Sequence, residues 1–136
     1  MEQHINTEHL DRGEIALKVL ITPNDLNHHG TVFGGAILAY FDLAASGYAM
    51  EQVGYKVVLV SVANSSFLAP VFPNEYITFY AKTVKRGNTS ITMDLEAWRS
   101  KPSTGSRDAD KIATATITMV AVGDDLRPRQ IKEMKS

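Results

Sequence analysis

One long helix is the clearest prediction from the order of apolar and polar positions. Between Gly34 and about Val53 the apolar residues recur every three or four positions, the spacing of a buried helical stripe. Gly54 gives this helix an end, because glycine readily adopts the left-handed conformation found after helices. Asp42 falls at the edge of the stripe, so we expect its carboxylate to be partly removed from water. The stripe consists of Ile37, Leu38, Phe41, Ala44, Ala45, Tyr48 and Ala49.

Five segments have the character of strands. One precedes the helix, and the next is a near-continuous β-branched run, typical of a strand buried on both faces. The last three include clean alternation of apolar and polar residues. Between the last two strands, Ser100 to Asp110 is polar and contains Pro and Gly, which predicts a mobile loop. The predicted strands are Glu14–Thr22, Lys56–Phe67, Glu75–Lys85, Thr89–Arg99 and Lys111–Val122.

The order of these elements predicts an α+β fold. A single helix cannot cover both faces of a twisted five-stranded sheet, so we expect the sheet to wrap around the helix. Several strands carry apolar residues on both sides, and a second copy of the chain is expected to cover what the first leaves open. We predict one domain over residues 13–124, a flexible N-terminus over 1–12 and a charged C-terminal tail over 125–136.

Composition and charge remove several classes of function. The 136 residues carry a formal net charge of -1, which gives no electrostatic footprint for nucleic acid. Cysteine is absent, so disulfides and thiolate nucleophiles are excluded. No apolar run reaches the roughly 18 residues that a membrane span needs. We therefore predict a cytoplasmic protein, without a membrane span and without a metal site, since the His28–His29 pair has no carboxylate partners at ligand spacing.

Candidate chemistry lies between Pro23 and Asp42. Gly34 and Gly35 open the helix, and the first free N–H groups of a helix point at any negative charge placed there. A developing oxyanion would suit that position, with Asp42 as the accompanying base. Taken singly, each residue has a structural interpretation: the glycines as a turn, the aspartate as a solvated side chain and Asn27 as an Asx-turn residue. Only their joint spacing favours a site.

The spacing of these residues resembles that of a known family. The pattern P-x-D-x-N-x-x-G-x-x-F-G-G-x-x-x-x-x-x-D is similar to that of hotdog-fold acyl-CoA thioesterases, in the YciA-like and cytosolic acyl-CoA thioester hydrolase group. The likeness extends over nearly the whole chain. The residues that carry it are Pro23, Asp25, Asn27, Gly30, Phe33, Gly34, Gly35 and Asp42, with F-L-x-P-V at Phe67–Val71, K-R-G-N-T-S at Lys85–Ser90, E-A-W at Glu96–Trp98 and the segment Met119–Arg129.

The resemblance implies a fold, an assembly and a reaction. The fold is a long central helix wrapped by a five-stranded antiparallel sheet. The smallest functional unit is a homodimer, within a tetramer or hexamer. The reaction is hydrolysis of acyl-CoA to free acid and CoA without metal or cofactor, CoA being part of the substrate. This chain departs from the family at two positions. Ala69 stands where the family often has arginine, and Ser61 where it often has threonine. Both departures bear on CoA affinity and substrate choice.

It also implies residue roles. Asp42 is general base or nucleophile, and backbone N–H groups of Gly34 and Gly35 bind the thioester oxygen. Asn27, reaching across from the partner subunit, places the attacking water or the thioester. The turn from Arg86 to Ser90 lies along CoA. Independently of the resemblance, Lys82, Arg127 and Arg129 are further cations that would meet the charge of CoA. The full set of expected substrate contacts is Phe33, Ser61, Phe67, Lys85, Arg86, Gly87, Thr89 and Ser90.

Two other functions are compatible with these residues. Hotdog dehydratases pair a loop histidine with a helix carboxylate, and His28 or His29 precedes Asp42 by a suitable distance. The Phe-Gly-Gly turn nevertheless fits the hydrolase pattern better. A non-catalytic acyl-CoA-binding protein would keep the pocket and bind without turnover. Phe33 and Phe67 are also compatible with core or dimer packing, and Lys85 and Arg86 with a solvated hairpin end.

Overall fold

In the part of the chain that the structure describes, one long helix packs against one face of a five-stranded antiparallel sheet. The computed structural model describes residues 12–101 and 106–131. The helix, α1, spans Gly34–Val53, and a short 3-10 helix spans Pro23–Asp25. The sheet order is β1-β3-β4-β5-β2, which confirms the predicted α+β architecture. The strands are β1 Glu14–Leu20, β2 Lys56–Phe67, β3 Tyr76–Arg86, β4 Ser90–Lys101 and β5 Ser106–Val122.

Helix α1 begins and ends where the sequence predicts. Phe33 caps its start in an extended conformation, and Gly54 ends it with a left-handed φ of 74°. Phe41 is fully buried and meets Phe79 of β3 edge to face, with ring centroids 5.2 Å apart. Leu38, predicted in the buried stripe, is 38% exposed.

The central strands alternate as predicted. On β4 the side chains facing the helix are buried, and those on the opposite face are partly exposed and polar. Two hydrogen bonds join that polar face, Thr92 to Thr118 at 2.8 Å and Thr116 to Asp94 at 2.8 Å. The buried inward residues of these two strands are Ile91, Met93, Leu95, Ala97, Ala113, Ala115, Ile117, Met119 and Ala121.

The prediction of a polar loop from Ser100 to Asp110 is wrong over most of its length. Strand β4 continues to Lys101 and β5 begins at Ser106, with Arg99 opposite Asp110. Polar side chains in this hairpin are compatible with strands because the pairing rests on backbone hydrogen bonds. Ser100 is fully buried, although its type suggested a loop.

Strand β2 differs most from its prediction. It was expected to be buried on both faces, but it lies at the edge of the sheet, and β5 is its only partner among the described strands. Of its twelve residues, Val57 alone is not exposed in the single chain. An exposed apolar edge strand is a template for pairing with another chain. Its exposed apolar side chains include Val58, Leu59, Val60 and Val62.

Both ends of the described chain are held in place. Arg12, the last residue of the predicted N-terminal segment, is 8% exposed, and its guanidinium lies 3.5 Å from the centroid of the Trp98 ring. The flexibility predicted for the segment as a whole stays a prediction. Residues 1–11 lie outside the described part. At the other end the Ile131 N–H donates to Asn88 O at 2.8 Å, and residues 132–136 again lie outside. No helix in residues 12–101 or 106–131 is long and apolar enough to cross a membrane.

Candidate active site

The start of α1 offers two free backbone donors. The N–H groups of Ala36 and Ile37 both donate to Phe33 O, at 3.0 and 3.4 Å. Gly34 and Gly35, the first two helical residues, are exposed, and their N–H groups meet no acceptor among the described residues. These are the unsatisfied donors expected at a helix N-terminus, where partial positive charge attracts an anion.

An apolar cavity of about 330 Å³ opens beside these donors. It lies between the start of α1 and the end of β2, and no charged side chain lines it. A Cβ added to Gly34 would stand 3.6 Å from Cζ of Phe67, so the Phe67 ring lies directly against the glycine. Phe67 is 50% exposed and Phe33 41%, which leaves both rings available for a ligand or another chain. The lining is Val32, Gly34, Ile37, Phe67, Leu68, Ala69, Pro70, Val71 and Ile112.

The loop before the helix is organised by Asn27. Its Oδ1 accepts the N–H of His29 at 2.8 Å and of Thr31 at 3.3 Å, and its Nδ2 donates to Thr31 Oγ1 at 3.1 Å. Gly30, with a φ of 81°, closes the turn in a conformation that favours glycine. In the single chain the Asn27 side chain therefore performs the Asx-turn role, and its contact with a substrate stays a prediction.

Asp25 joins this loop to the helix. Its carboxylate is buried and accepts the Tyr40 hydroxyl at 2.6 Å, the Thr22 N–H at 2.9 Å and the Thr22 hydroxyl at 3.2 Å. Burial raises the pKa of Asp25, but these hydrogen bonds to the ionised form outweigh burial and bring it below the ordinary value. The same bond, with burial and the carboxylate charge, raises the pKa of Tyr40 to about 12.

Asp42 does not have the predicted surroundings in the single chain. Its side chain is exposed, and Ser46 Oγ donates to it at 3.4 Å. The expectation of partial burial depended on Leu38, which itself faces outward. Seven or eight residues separate Asp42 from the glycine pair, a rise of about 11 Å along the helix. One chain therefore does not bring this carboxylate and the free N–H groups to the same reacting atom.

The turn between β3 and β4 lies at the other end of the helix. Nη2 of Arg86 donates to Gln52 O at 3.0 Å, so this predicted CoA contact also caps the last turn of α1. Gln52 is 18 residues beyond Gly34, about 27 Å along the axis. The turn itself is closed by the Gly87 N–H, which donates to Ser90 O at 2.9 Å. Lys85 and Gly87 are exposed, whereas Thr89 and Ser90 are half-buried.

The remaining candidates are separate from these groups. His28 and His29 are exposed on the loop, with ring centroids 3.8 Å apart. Among the described residues no group of three or more His, Cys, Asp or Glu side chains could hold a metal ion. Ser61 lies on the exposed edge strand, beside a register shift between Leu59 and Ser61.

The outward face of α1 is unusually apolar for a surface. Leu38, Leu43 and Met50 are 38%, 59% and 48% exposed, and Gly35 and Asp42 lie on the same side of the helix. Exposed apolar side chains collected on one side of a helix favour an interaction surface. Asp42 is thus a carboxylate set in a surface whose composition favours burial by another chain.

Two residues with structural importance escaped the sequence reasoning. Tyr40 has the spacing of a helix residue facing inward, but nothing in the sequence pairs it with Asp25, fifteen positions earlier. Arg99 was placed only at the end of a strand, whereas its buried side chain donates to Pro70 O at 2.6 Å and to Asp110. Such pairings depend on tertiary contacts, for which a single sequence carries no signal.

Comparison with known proteins places this architecture in a family. Residues 29–106 match the model of the thioesterase superfamily. The acyl-CoA thioester hydrolase YciA of Salmonella typhimurium is 36% identical over 123 residues, which cover 88% of this chain and 91% of that protein.

Solved structures agree. A hexameric hotdog fold thioesterase of Campylobacter jejuni, 34% identical, superimposes with a TM-score of 0.82 over 90% of this chain and 92% of that one. An acyl-CoA hydrolase of Staphylococcus aureus, solved with butyryl-CoA and CoA, is 27% identical with a TM-score of 0.76, over 85% and 69% of the two chains. This chain therefore belongs to the thioesterase superfamily, among its hotdog-fold acyl-CoA thioester hydrolases.

Proposed function

We propose that this protein hydrolyses acyl-CoA thioesters to the free acid and CoA, at sites that combine residues of two chains. The observation that carries the proposal is the pair of free N–H groups at Gly34 and Gly35, open to solvent beside an apolar cavity. A thioester needs an apolar space for its acyl chain and hydrogen-bond donors for the oxygen that becomes negative. The apolar cavity offers the space for the acyl chain, and the adjacent Gly34 and Gly35 N–H groups are the donors for the oxygen.

Asp42 supplies the base. Water adds to the thioester carbonyl carbon as Asp42 takes its proton, and the carbonyl electron pair moves onto the oxygen held by Gly34 and Gly35. When the carbonyl reforms, the carbon–sulfur bond breaks and CoA departs as a thiolate, which a pKa of about 8.5 makes a good leaving group. The proton on Asp42 then passes to the thiolate. As a nucleophile, Asp42 would instead form a mixed anhydride that water opens.

A second chain is needed for this chemistry. Asp42 lies about 11 Å along the axis from its own glycine pair, and the exposed apolar face of α1 and the edge of β2 both favour coverage by another copy. In the proposed site Asp42 of one chain works with Gly34, Gly35 and Asn27 of another. Burial in that interface would also shield Asp42 from bulk water. The hexameric relative supports an assembly built from such pairs.

The acyl chain and CoA occupy different surfaces in this proposal. Phe67 lines the cavity beside Gly34, and the exposed Phe33 ring lies against Gly35. Ser61 lies further along β2. The nucleotide end of CoA is negative and meets the exposed Lys85 with Arg86, Gly87, Thr89 and Ser90 at the far end of the helix. Because that turn is about 27 Å from the same chain's glycine pair, we expect these residues also to come from more than one chain.

The decisive experiment measures thiol release from a panel of acyl-CoAs by wild type, Asp42→Ala and Asp42→Asn. Wild type is expected to release CoA, and both variants to lose about 10²- to 10⁴-fold in kcat because the base is gone. Glu51→Gln is the matched control, since Glu51 is an exposed carboxylate on the same helix, and it should keep wild-type activity.

Three outcomes contradict the proposal in different ways. Full activity in Asp42→Ala would remove Asp42 from the mechanism while leaving the reaction. Hydration or dehydration of enoyl or hydroxyacyl thioesters without CoA release would favour chemistry through His28 or His29. Saturable binding of acyl-CoA without turnover by wild type would identify a binding protein.

A further inference from the structure

Asp25 and Tyr40 connect the loop that carries Asn27 with the helix that carries the free N–H groups. The Tyr40 hydroxyl, on the second turn of α1, donates to Asp25 Oδ1 at 2.6 Å. The backbone carbonyl of the same aspartate accepts the N–H of Phe33 at 3.2 Å. Phe33 immediately precedes Gly34. Asp25 therefore holds the helix through its side chain and the residue before the helix through its main chain.

These bonds close a ring around the start of the helix. The ring follows the main chain from Asp25 through the loop to Phe33 and along the first turn and a half of α1 to Tyr40. The hydrogen bond from the Tyr40 hydroxyl to Asp25 closes it. An antiparallel β-bridge between Leu26 and Val32 holds the two ends of this loop together. The N–H of Val32 also donates to Val71 O at 2.9 Å. Two bonds from Thr22 hold the other oxygen of Asp25. The direction of the Gly34 and Gly35 N–H groups is thus fixed relative to Asn27.

We propose that the Tyr40–Asp25 pair is a positioning device for hydrolysis, which aligns the Gly34–Gly35 donors with the loop bearing Asn27. The inference rests on the proposed function. Neither side chain lines the apolar cavity, so the pair acts through the backbone and not by touching substrate. An oxyanion hole needs its donors aimed at the place where charge develops, so loosening the ring lowers the rate more than the affinity.

Tyr40→Phe tests the inference by deleting one oxygen. The expected result is a fall in kcat of about 10- to 100-fold, because a displacement of reacting groups by about 1 Å can cost up to about 100-fold in rate, with KM changed less than about twofold. Tyr48→Phe is the matched control. Tyr48 lies two turns further along the same helix, and its hydroxyl bonds to Thr83 Oγ1 at 2.9 Å and accepts the Thr83 N–H at 3.0 Å. A merely structural role predicts equal kcat for the two variants at temperatures where both are folded.

Asp25→Asn provides a second variant if Tyr40→Phe folds poorly. An asparagine oxygen can still accept the Tyr40 hydroxyl, but its NH₂ group cannot accept the Thr22 N–H, so the ring is loosened at another point. It should also lower kcat, and adding Tyr40→Phe to it should cost less than Tyr40→Phe costs alone. An active wild type with unchanged kcat in both variants would overturn this inference and leave the proposed function intact. A wild type without thiol release would instead contradict the proposed function.

Discussion

At the scale of single residues, the pKa values of Asp25 and Tyr40 are displaced in opposite directions, and the hydrogen bond between the two side chains contributes to both shifts. Burial alone would raise the pKa of Asp25, but its bonds to Thr22 and Tyr40 favour the carboxylate and lower it. The pKa of Tyr40 rises to about 12 because the phenolate would lose its bond to Asp25 and face the carboxylate charge. The bond is therefore complete only where Asp25 is ionised and Tyr40 is protonated.

We expect the stability difference between wild type and Tyr40→Phe to form a plateau in pH. It should shrink below about pH 4 as Asp25 protonates, since a lowered folded pKa contributes stability that is lost on acidification. It should shrink again as pH rises from about 10, the ordinary tyrosine pKa, towards the folded value. Denaturant unfolding of both proteins across pH measures this. A difference that stays constant at high pH would contradict the assignment. Tyr48→Phe is the control, because it deletes another hydrogen-bonded tyrosine hydroxyl on the same helix.

Asn27 illustrates which residue roles a sequence can predict. Its Asx-turn role follows from five consecutive residues and agrees with the bonds to His29 and Thr31. The identity of Gly34 and Gly35 as free donors likewise follows from their place at a helix start. The burial of Asp42 could not be predicted in the same way, because it depends on side chains that another chain must bring.

At the scale of elements, Arg99 ties three segments together behind the cavity. Its side chain is 10% exposed, donates to Pro70 O in the cavity wall and lies 3.8 Å from Glu75, whose side chain is equally buried. The bond from Arg99 lowers the pKa of Asp110 on the opposite strand. Glu75 in turn accepts the Phe72 N–H at 2.7 Å. The loop from β2 to β3 is thus anchored to the β4–β5 hairpin.

Arg99→Met should destabilise the fold by about 3 kcal/mol, because it leaves the Glu75 carboxylate buried without its cation. Chemical denaturation measures the change. Lys56→Met is the comparison: its ion pair with Asp124, at 3.0 Å, is 60% and 98% exposed, so little change is expected. Adding Glu75→Gln to Arg99→Met should recover part of the loss. Equal stability of the two single variants would show that Arg99 is not an anchor.

The elements themselves were predictable where apolar spacing defines them. The bounds of α1 and the alternation of β4 and β5 follow from periods of 3.6 and two. The hairpin beyond Arg99 was missed because its strands are polar and held by pairing. The run in β2 correctly indicated a strand. The prediction that β2 is buried on both faces is wrong for a single chain, because Val58 and Val60 lie on an edge strand that the same chain does not cover.

At the scale of the whole molecule, the single chain distributes the candidate site along one helix. The free donors are at its start, the carboxylate is two turns further and the Arg86 turn is at its end. These three groups are fixed by a rigid element, so folding within one chain cannot bring them together. A two-fold pairing can, since each chain then contributes different parts to each of two equivalent sites.

Mixing inactive Asn27→Ala with inactive Asp42→Ala protein tests this arrangement. In a mixed pair one site combines both substitutions, and the other combines the intact Asn27 of one chain with the intact Asp42 of its partner. After complete exchange at equal amounts, half of the pairs are mixed and roughly a quarter of all sites are intact, so about that share of wild-type activity should return.

Thiol release before and after exchange measures the recovery, with mass spectrometry of differently tagged chains to verify exchange. Asn27→Ala mixed with an Asn27→Ala,Asp42→Ala chain is the control, because no pairing of those chains contains both residues intact. Persistent inactivity of the test mixture, with exchange verified, would mean that Asn27 and Asp42 serve the same site from one chain.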